Sequence, residues 1–133
     1  MGMSAAYLLD THALLWWLSG DGKLPATIRR LIGRDDSHIY VSAASAWEIA
    51  TKVRLGKLPG AAAVLSDLEG ELIRQKFQPL SISFEHAVLA GSFGFSHRDP
   101  FDRMIAAQAL KERLPVLSGD EALDQFGIER RWR

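Results

Sequence analysis

Apolar residues follow two rhythms along this chain. Short unbroken runs, at Ala5-Ala6-Tyr7-Leu8-Leu9, Ile39-Tyr40-Val41 and Pro115-Val116-Leu117, have the length and side-chain types of strands buried on both faces. Between them lie longer stretches whose apolar residues recur three and four positions apart, as on one face of a helix. The reading that follows is a strand over 5–9, then a helix from Asp10-Thr11 through Leu18, ended by Ser19-Gly20-Asp21-Gly22. A second helix begins with Pro25 in its first position and runs to about Ile32. After the strand at 39–41, a helix is predicted over 42–54, stopped by Gly56 and Pro59-Gly60, and another over 61–76. A strand or edge segment over 78–83 and a helix over 84–91 lead to a Gly/Ser/His loop. Asp99-Pro100 opens a strong helix through Arg113, and a strand at 115–117, a short helix over 120–126 and an edge strand over 128–132 close the chain. Short strands alternating with longer helices predict a three-layer α/β/α sandwich around a central, mainly parallel sheet. No linker, repeat or low-complexity run divides the 133 residues, so one domain over 1–133 is expected.

Asp10, Glu48, Asp102 and Asp120 stand out in this pattern. Asp10, Glu48 and Asp120 follow a short apolar run directly or within a turn, and all four are placed near a helix start. Parallel strands would carry three of them to one sheet edge, where open α/β sheets hold their ligands. Each acid alone has a plainer reading. Asp10 and Asp120 can cap helices, and Ser45-Ala46-Trp47-Glu48 has the form of a capping box. Asp99 can cap the helix that Pro100 opens, with Asp102 in its positive first turn. Together the four would repel, raising the pKa of some, and a bound cation would relieve that. Oxygen ligands suit Mg²⁺ or Mn²⁺. Such ions lower the pKa of water and stabilise the oxygens of a phosphate ester under attack.

Composition narrows the chemistry. There is no cysteine, which excludes disulfides, thiolate zinc sites, iron–sulfur clusters and cysteine nucleophiles. Lys plus Arg equals Asp plus Glu at 16 each, which argues against a dedicated nucleic-acid coat but leaves room for a local basic groove. No apolar run reaches membrane-spanning length, and the opening residues lack the basic start of a secretory signal, so a cytoplasmic protein is expected. Gly2 is followed by Ala at position 6, which weakens a myristoylation reading. His97 has no partner at metal-binding spacing, nothing resembles a strained Gly-x-Ser-x-Gly turn, and no Asp-x-Asp phosphatase nucleophile is present.

Four longer motifs occur in order: Leu8-Leu9-Asp10-Thr11-His12-Ala13-Leu14-Leu15-Trp16, Ser45-Ala46-Trp47-Glu48-Ile49-Ala50-Thr51-Lys52 with Leu55-Gly56-Lys57-Leu58, His97-Arg98-Asp99-Pro100-Phe101-Asp102-Arg103-Met104-Ile105-Ala106-Ala107-Gln108-Ala109, and Leu117-Ser118-Gly119-Asp120. Through them nearly the whole chain resembles a PIN-domain ribonuclease, and more narrowly the VapC toxins of bacterial toxin–antitoxin pairs. The resemblance implies a PIN-like fold and a Mg²⁺- or Mn²⁺-dependent endoribonuclease. Asp10, Glu48 and Asp102 correspond to the family's three central acids and Asp120 to the fourth. Asp102 is preferred to Asp99 because of its spacing from the Ile-Ala-Ala stretch; Asp99 is read mainly as the cap, with metal or supporting duty as the minor alternative. Ser118 resembles a small hydroxyl residue placed near the metal, and a turn-forming Ser is the equal alternative. Thr11, Lys52, Arg98 and Arg103 are candidates for supporting the acids or contacting phosphate. Arg130-Arg131-Trp132-Arg133 offers charge and a stacking ring, or a solvated end with Trp132 tucked in.

The expected reaction is in-line attack of water on phosphorus, leaving a 5′-phosphate and a 3′-hydroxyl. The resemblance further implies a VapB-like antitoxin, a homodimer and an RNA substrate, transfer RNA being a common target. Ala13-Leu14-Leu15-Trp16-Trp17-Leu18 is apolar all round its helix, which suggests cover by a second chain as well as by its own core. The competing readings are a non-catalytic RNA- or protein-binding module on the same fold, and a metal-dependent DNA nuclease or phosphatase with the same ligands.

Overall fold

The computed structural model describes residues 5–133; Gly2, weighed above as an acylation site, lies outside the described residues. Five strands, β1 (Ala5–Leu9), β2 (Ser37–Ser42), β3 (Gln78–Leu80), β4 (Val116–Leu117) and β5 (Arg130–Arg131), form one sheet in the order β3-β2-β1-β4-β5. Every pairing is parallel. The first strand is therefore central, with β2 on one side and β4 on the other. Leu9 stands level with Val41 and with Leu117, so the chain leaves all three strands at one edge, through Asp10, Ser42 and Ser118.

Strand alternation explains the three layers. On one face Tyr7, Leu9, Ile39, Val41 and Leu117 pack under α1 (Thr11–Ser19), α2 (Ala26–Ile32) and α5 (Leu68–Gln75), which add Leu14, Ile28 and Leu72. On the other, Leu8 and Val116 pack under α7 (Pro100–Glu112) through Ile105, Ala106 and Ala109. Helix α3 (Ala43–Arg54) feeds both cores, Ile49 into the first and Ala44 into the second. It therefore crosses the end of the sheet instead of lying flat on one face. Among the described residues no helix is long and apolar enough to cross a membrane.

Several local expectations shift. The cap of α3 is Ser42, whose Oγ accepts from the Ala44 amide at 2.9 Å, so Ser45-x-x-Glu48 is not a capping box and Glu48 sits in the second turn. Pro25 precedes α2 as its cap residue. The single helix expected over 61–76 breaks into a 3₁₀ turn (Pro59–Ala61), a short α4 (Ala62–Leu65) and α5. The break falls at Ser66 and Asp67, where the Ser66 hydroxyl bonds back to the Ala63 carbonyl and Asp67 leaves helical geometry at φ −144°. Ile73, within the 61–76 stretch, is exposed.

The apolar surplus of α1 is taken up within the chain. Trp16 packs on Trp132 and Trp17 on Phe77, and the Trp17 indole donates to Gln75 at 2.9 Å. Leu15, Trp16, Trp17 and Leu18 are half-buried and Leu14 is buried, so the chain itself covers much of this surplus. The most exposed apolar side chain among the described residues is Phe84, at the start of α6 (Phe84–Ser92), with Val88 one turn on.

Candidate active site

The loops leaving β1 and β4 bring Asp10 and Asp120 to the carboxyl edge, where neighbouring strands send their connections in opposite directions. Asp10 caps α1, accepting from the Ala13 amide at 2.7 Å, and Asp120 caps the 3₁₀ turn Glu121–Phe126, accepting from Ala122 at 3.0 Å. Helix α3 lowers Glu48 toward them, and the first turn of α7 supplies Asp102. Asp10, Glu48, Lys52, Asp99, Asp102 and Asp120 then line one cleft of about 80 Å³, which Thr11 and His12 complete. Capping and convergence are thus not rival readings for Asp10 and Asp120, since one carboxylate oxygen caps while the side chain still faces the cleft.

Glu48 is almost fully buried and is held from two sides. Lys52, one turn along α3, donates to Oε2, and the Thr11 hydroxyl donates to Oε1. Thr11 Oγ1 also lies 2.9 Å from Ser45 Oγ. Thr11 has one proton to give, so the Ser45 hydroxyl supplies the second bond. Glu48 in turn holds the Lys52 ammonium above its ordinary pKa, with smaller help from Asp99 and Asp102.

Asp102 accepts from His97 Nε2 at 3.0 Å, and His97 Nδ1 faces the Gln125 amide at 2.9 Å. Burial pushes the Asp102 carboxyl up to about 6, the Asp99 and Asp120 charges push the same way, and His97 opposes them. Asp10 is also raised, by burial first; the Ser118 hydroxyl, the Ala13 amide and His12 pull it down, while Asp120 adds to the rise. Ser118, fully buried, also accepts from the Asp120 amide at 3.0 Å, so this one hydroxyl orders two acids.

The other candidates separate. Asp99 caps α7, accepting from the amides of Phe101 at 2.9 Å and Asp102 at 3.2 Å, and its charge acts on Asp102. Arg98 is exposed on the preceding loop. Arg103 is a correction: its guanidinium is committed to backbone carbonyls and does not face a substrate. It donates to Ala90 at 2.8 Å, Phe93 at 2.8 Å and His97 at 2.9 Å, with longer bonds to Phe95 and Gly91, and so staples the loop after α6 onto α7. His97 is the residue that sequence reasoning missed. Spacing between metal ligands was the test applied to it, whereas its actual partner is Asp102, five positions on across a loop.

The donor set fits a hard divalent cation. It is all oxygen, and five carboxylates line the cleft against one lysine. As the side chains stand, no group of three or more acidic or histidine residues among the described residues is drawn tightly enough to hold an ion, since Glu48 is turned to Lys52 and Asp102 to His97.

A family model described as PIN domain matches residues 7–129. The fold is similar to a chain of VapBC2 from Rickettsia felis, crystallised bound to a DNA fragment from its promoter, at TM-score 0.65 and 14% identity over 95% of this chain and 97% of that one. VapBC-1 from nontypeable Haemophilus influenzae gives TM-score 0.61 at 14% identity, covering 95% and 96%. A domain of a functionally unknown protein from Methanocaldococcus jannaschii gives 0.56 at 16% identity, covering 97% and 91%. No curated protein matches the sequence at a significant level.

Proposed function

From the premise that this chain belongs to the PIN domain family, we propose that it is a metal-dependent endoribonuclease and the toxin of a toxin–antitoxin pair. The observation that carries the reading is the cleft itself, where Asp10, Glu48, Asp102 and Asp120 crowd one small space with less positive charge than they need. Mg²⁺ or Mn²⁺ held by these four would supply the missing charge, lower the pKa of water and offset the growing charge on a phosphodiester under attack.

The chain's own groups do the rest. Ser118 and the Ala13 amide fix the Asp10 carboxylate, and Thr11 with Lys52 fixes Glu48. His97 holds Asp102 in place through its Nε2. Among the described residues Lys52 is the one cation lining the cleft and so the candidate to meet a phosphate oxygen there, and Arg98, on the loop before α7, is an exposed cation next to Asp99 in sequence. Arg103 keeps that loop in place.

The structural likeness to VapBC chains supports an antitoxin partner of the VapB kind, which would restrain a nuclease dangerous to its own cell. We also propose a homodimer, with Phe84 and Val88 as apolar surface for a partner copy to cover. The test is to incubate the protein, freed of any partner, with total cellular RNA and Mg²⁺ or Mn²⁺. Discrete fragments that vanish with EDTA and with Asp102→Asn are expected. Intact RNA in every lane together with no Mn²⁺ binding contradicts the catalytic reading and favours a binding module.

A further inference from the structure

Beside the acidic cleft, and sharing Asp10, His12 and Asp120 with it, lies a larger groove of about 400 Å³. Trp16, Lys23, Gly119 and Trp132 complete its lining. The Trp16 and Trp132 ring centroids are 6.0 Å apart, His12 stands 5.7 Å from Trp16, and the Lys23 ammonium lies 5.8 Å from the Trp16 ring centre. Trp132 reaches this place because β5 runs beside β4, so the end of the chain returns to the edge where Asp120 sits. A side chain at position 119 would come within 2.9 Å of the Trp132 indole, so glycine lets the ring lie against the backbone next to Asp120. Gly119 and Trp132 also border a second groove, of about 620 Å³, lined by Arg130, Arg131 and Arg133 together with Glu121. Arg130 is paired with both oxygens of Asp124, while Arg131 donates to the neutral Tyr7 hydroxyl, so Arg131 and Arg133 are the cations this groove offers without a carboxylate partner among the described residues. Acids, aromatic rings and arginines thus follow one another along a continuous surface.

We infer that the groove of Trp16, Trp132 and His12 is a base-stacking subsite, in which an unpaired base next to the cleaved phosphodiester packs while the strand continues over Arg130–Arg133. The inference rests on the nuclease reading for what happens at the acids, but not for the stacking. Aromatic faces accept any base and lysine and arginine accept phosphate, which is the pattern of single-strand binding. Trp16 and Trp132 already touch, so a base covers the pair and does not slip between them. In a duplex both faces of each base are already stacked, and such a substrate is excluded. The same surface would also attract a peptide with an aromatic anchor. The succession from acids through rings to arginines favours a polynucleotide, for which each part has a use.

The full chain in EDTA is titrated with a short single-stranded RNA of mixed sequence, and with the same strand annealed to its complement. The indole N–H resonances of Trp16 and Trp132 should shift with the single strand, while that of Trp47 stays in place. Trp132→Leu should weaken binding about ten-fold, the scale of losing one stacked base. Lys23→Ala, at an exposed position with no core role, should weaken it less, and Asp102→Asn should not weaken it. If Asp102→Asn stops cleavage while Trp132→Leu and Lys23→Ala bind the strand as well as the parent, the subsite is wrong and the nuclease reading stands, leaving the groove to a peptide partner. If no RNA is cut under any condition but strand binding still depends on Trp132, the subsite stands and the nuclease reading falls.

Discussion

Two buried polar clusters sit within this small sheet protein, and they are built on opposite rules. Around Gln108 every group has a complement. Ser42 donates to its Oε1, its amide donates to the Ser81 carbonyl at 3.2 Å, His86 Nδ1 accepts from the Ser83 amide at 3.0 Å, and His86 Nε2 meets Glu112 at 2.9 Å. That cluster ties β2, α6 and α7 together and needs nothing from outside. In the acidic cleft burial pushes the Asp10 and Asp102 carboxyls up, and the like charges beside them, Asp120 for both and Asp99 for Asp102, push the same way. Both clusters are hydrogen-bonded, for no buried side-chain polar atom among the described residues lacks a partner. Satisfaction alone therefore does not separate structure from function. The sign of the neighbouring charges does: a cluster that closes on itself serves the fold, and one that repels itself is waiting for a cation.

Substitution should break the two clusters in opposite ways. The largest expected effect is on the acids. Asp102→Asn should lower RNA cleavage on the order of 10²–10³-fold, the scale seen when one group stabilising transition-state charge is lost, and its melting temperature without metal should hold or rise. Asp10→Asn should behave alike, because asparagine is as good a cap for α1 as aspartate. Gln108→Leu should do the reverse. It strands the Ser42 hydroxyl and the Ser81 carbonyl, and should cost about 2–4 kcal/mol in denaturant titration while the folded fraction keeps its cleavage rate. Arg103→Lys lies between. Losing the planar fork should cost about 1–3 kcal/mol and loosen the loop that carries His97, with faster amide exchange over residues 93–98.

The smallest expected effect sharpens the comparison through pH. The Asp102 carboxyl is raised from 3.8 to about 6 on folding, so between those values the folded chain holds more protons than the unfolded one. Metal-free stability should therefore fall as pH rises from 4 toward 6 and then level off. The loss should be about 1–2 kcal/mol once partial exposure is allowed for. Asp102→Asn should flatten this slope. Cation binding competes with the same proton, so the apparent Mn²⁺ affinity should rise over the same interval.

Much of the frame was legible because its signals are local. Central β1 and helix α1 follow from an apolar run ended by an acid, and α7 from Asp99-Pro100. The gathering of Asp10 and Asp120 follows from parallel strands, which put successive junctions on one edge. Glu48 was legible as a member but not in its place, since Ser42 and Ser45 both suit a cap and only the end of β2 decides between them. His97 and Arg103 were out of reach for a different reason. Their partners lie across an irregular loop, where neither helical nor strand periodicity relates one residue to another. The cover that Trp132 and Phe77 give helix α1 was not legible, because those residues lie far along the chain.

The most direct measurement is the melting temperature of the parent chain and of Asp102→Asn, each with EDTA and with saturating Mn²⁺. A self-repelling acid cluster built for a cation predicts that Mn²⁺ stabilises the parent, by about 2.7 kcal/mol at a hundred times its dissociation constant. It also predicts that Asp102→Asn matches or exceeds the parent in EDTA and gains much less from Mn²⁺. A variant that melts well below the parent in EDTA, with Mn²⁺ changing neither protein, would make Asp102 part of the fold's scaffold and contradict the account.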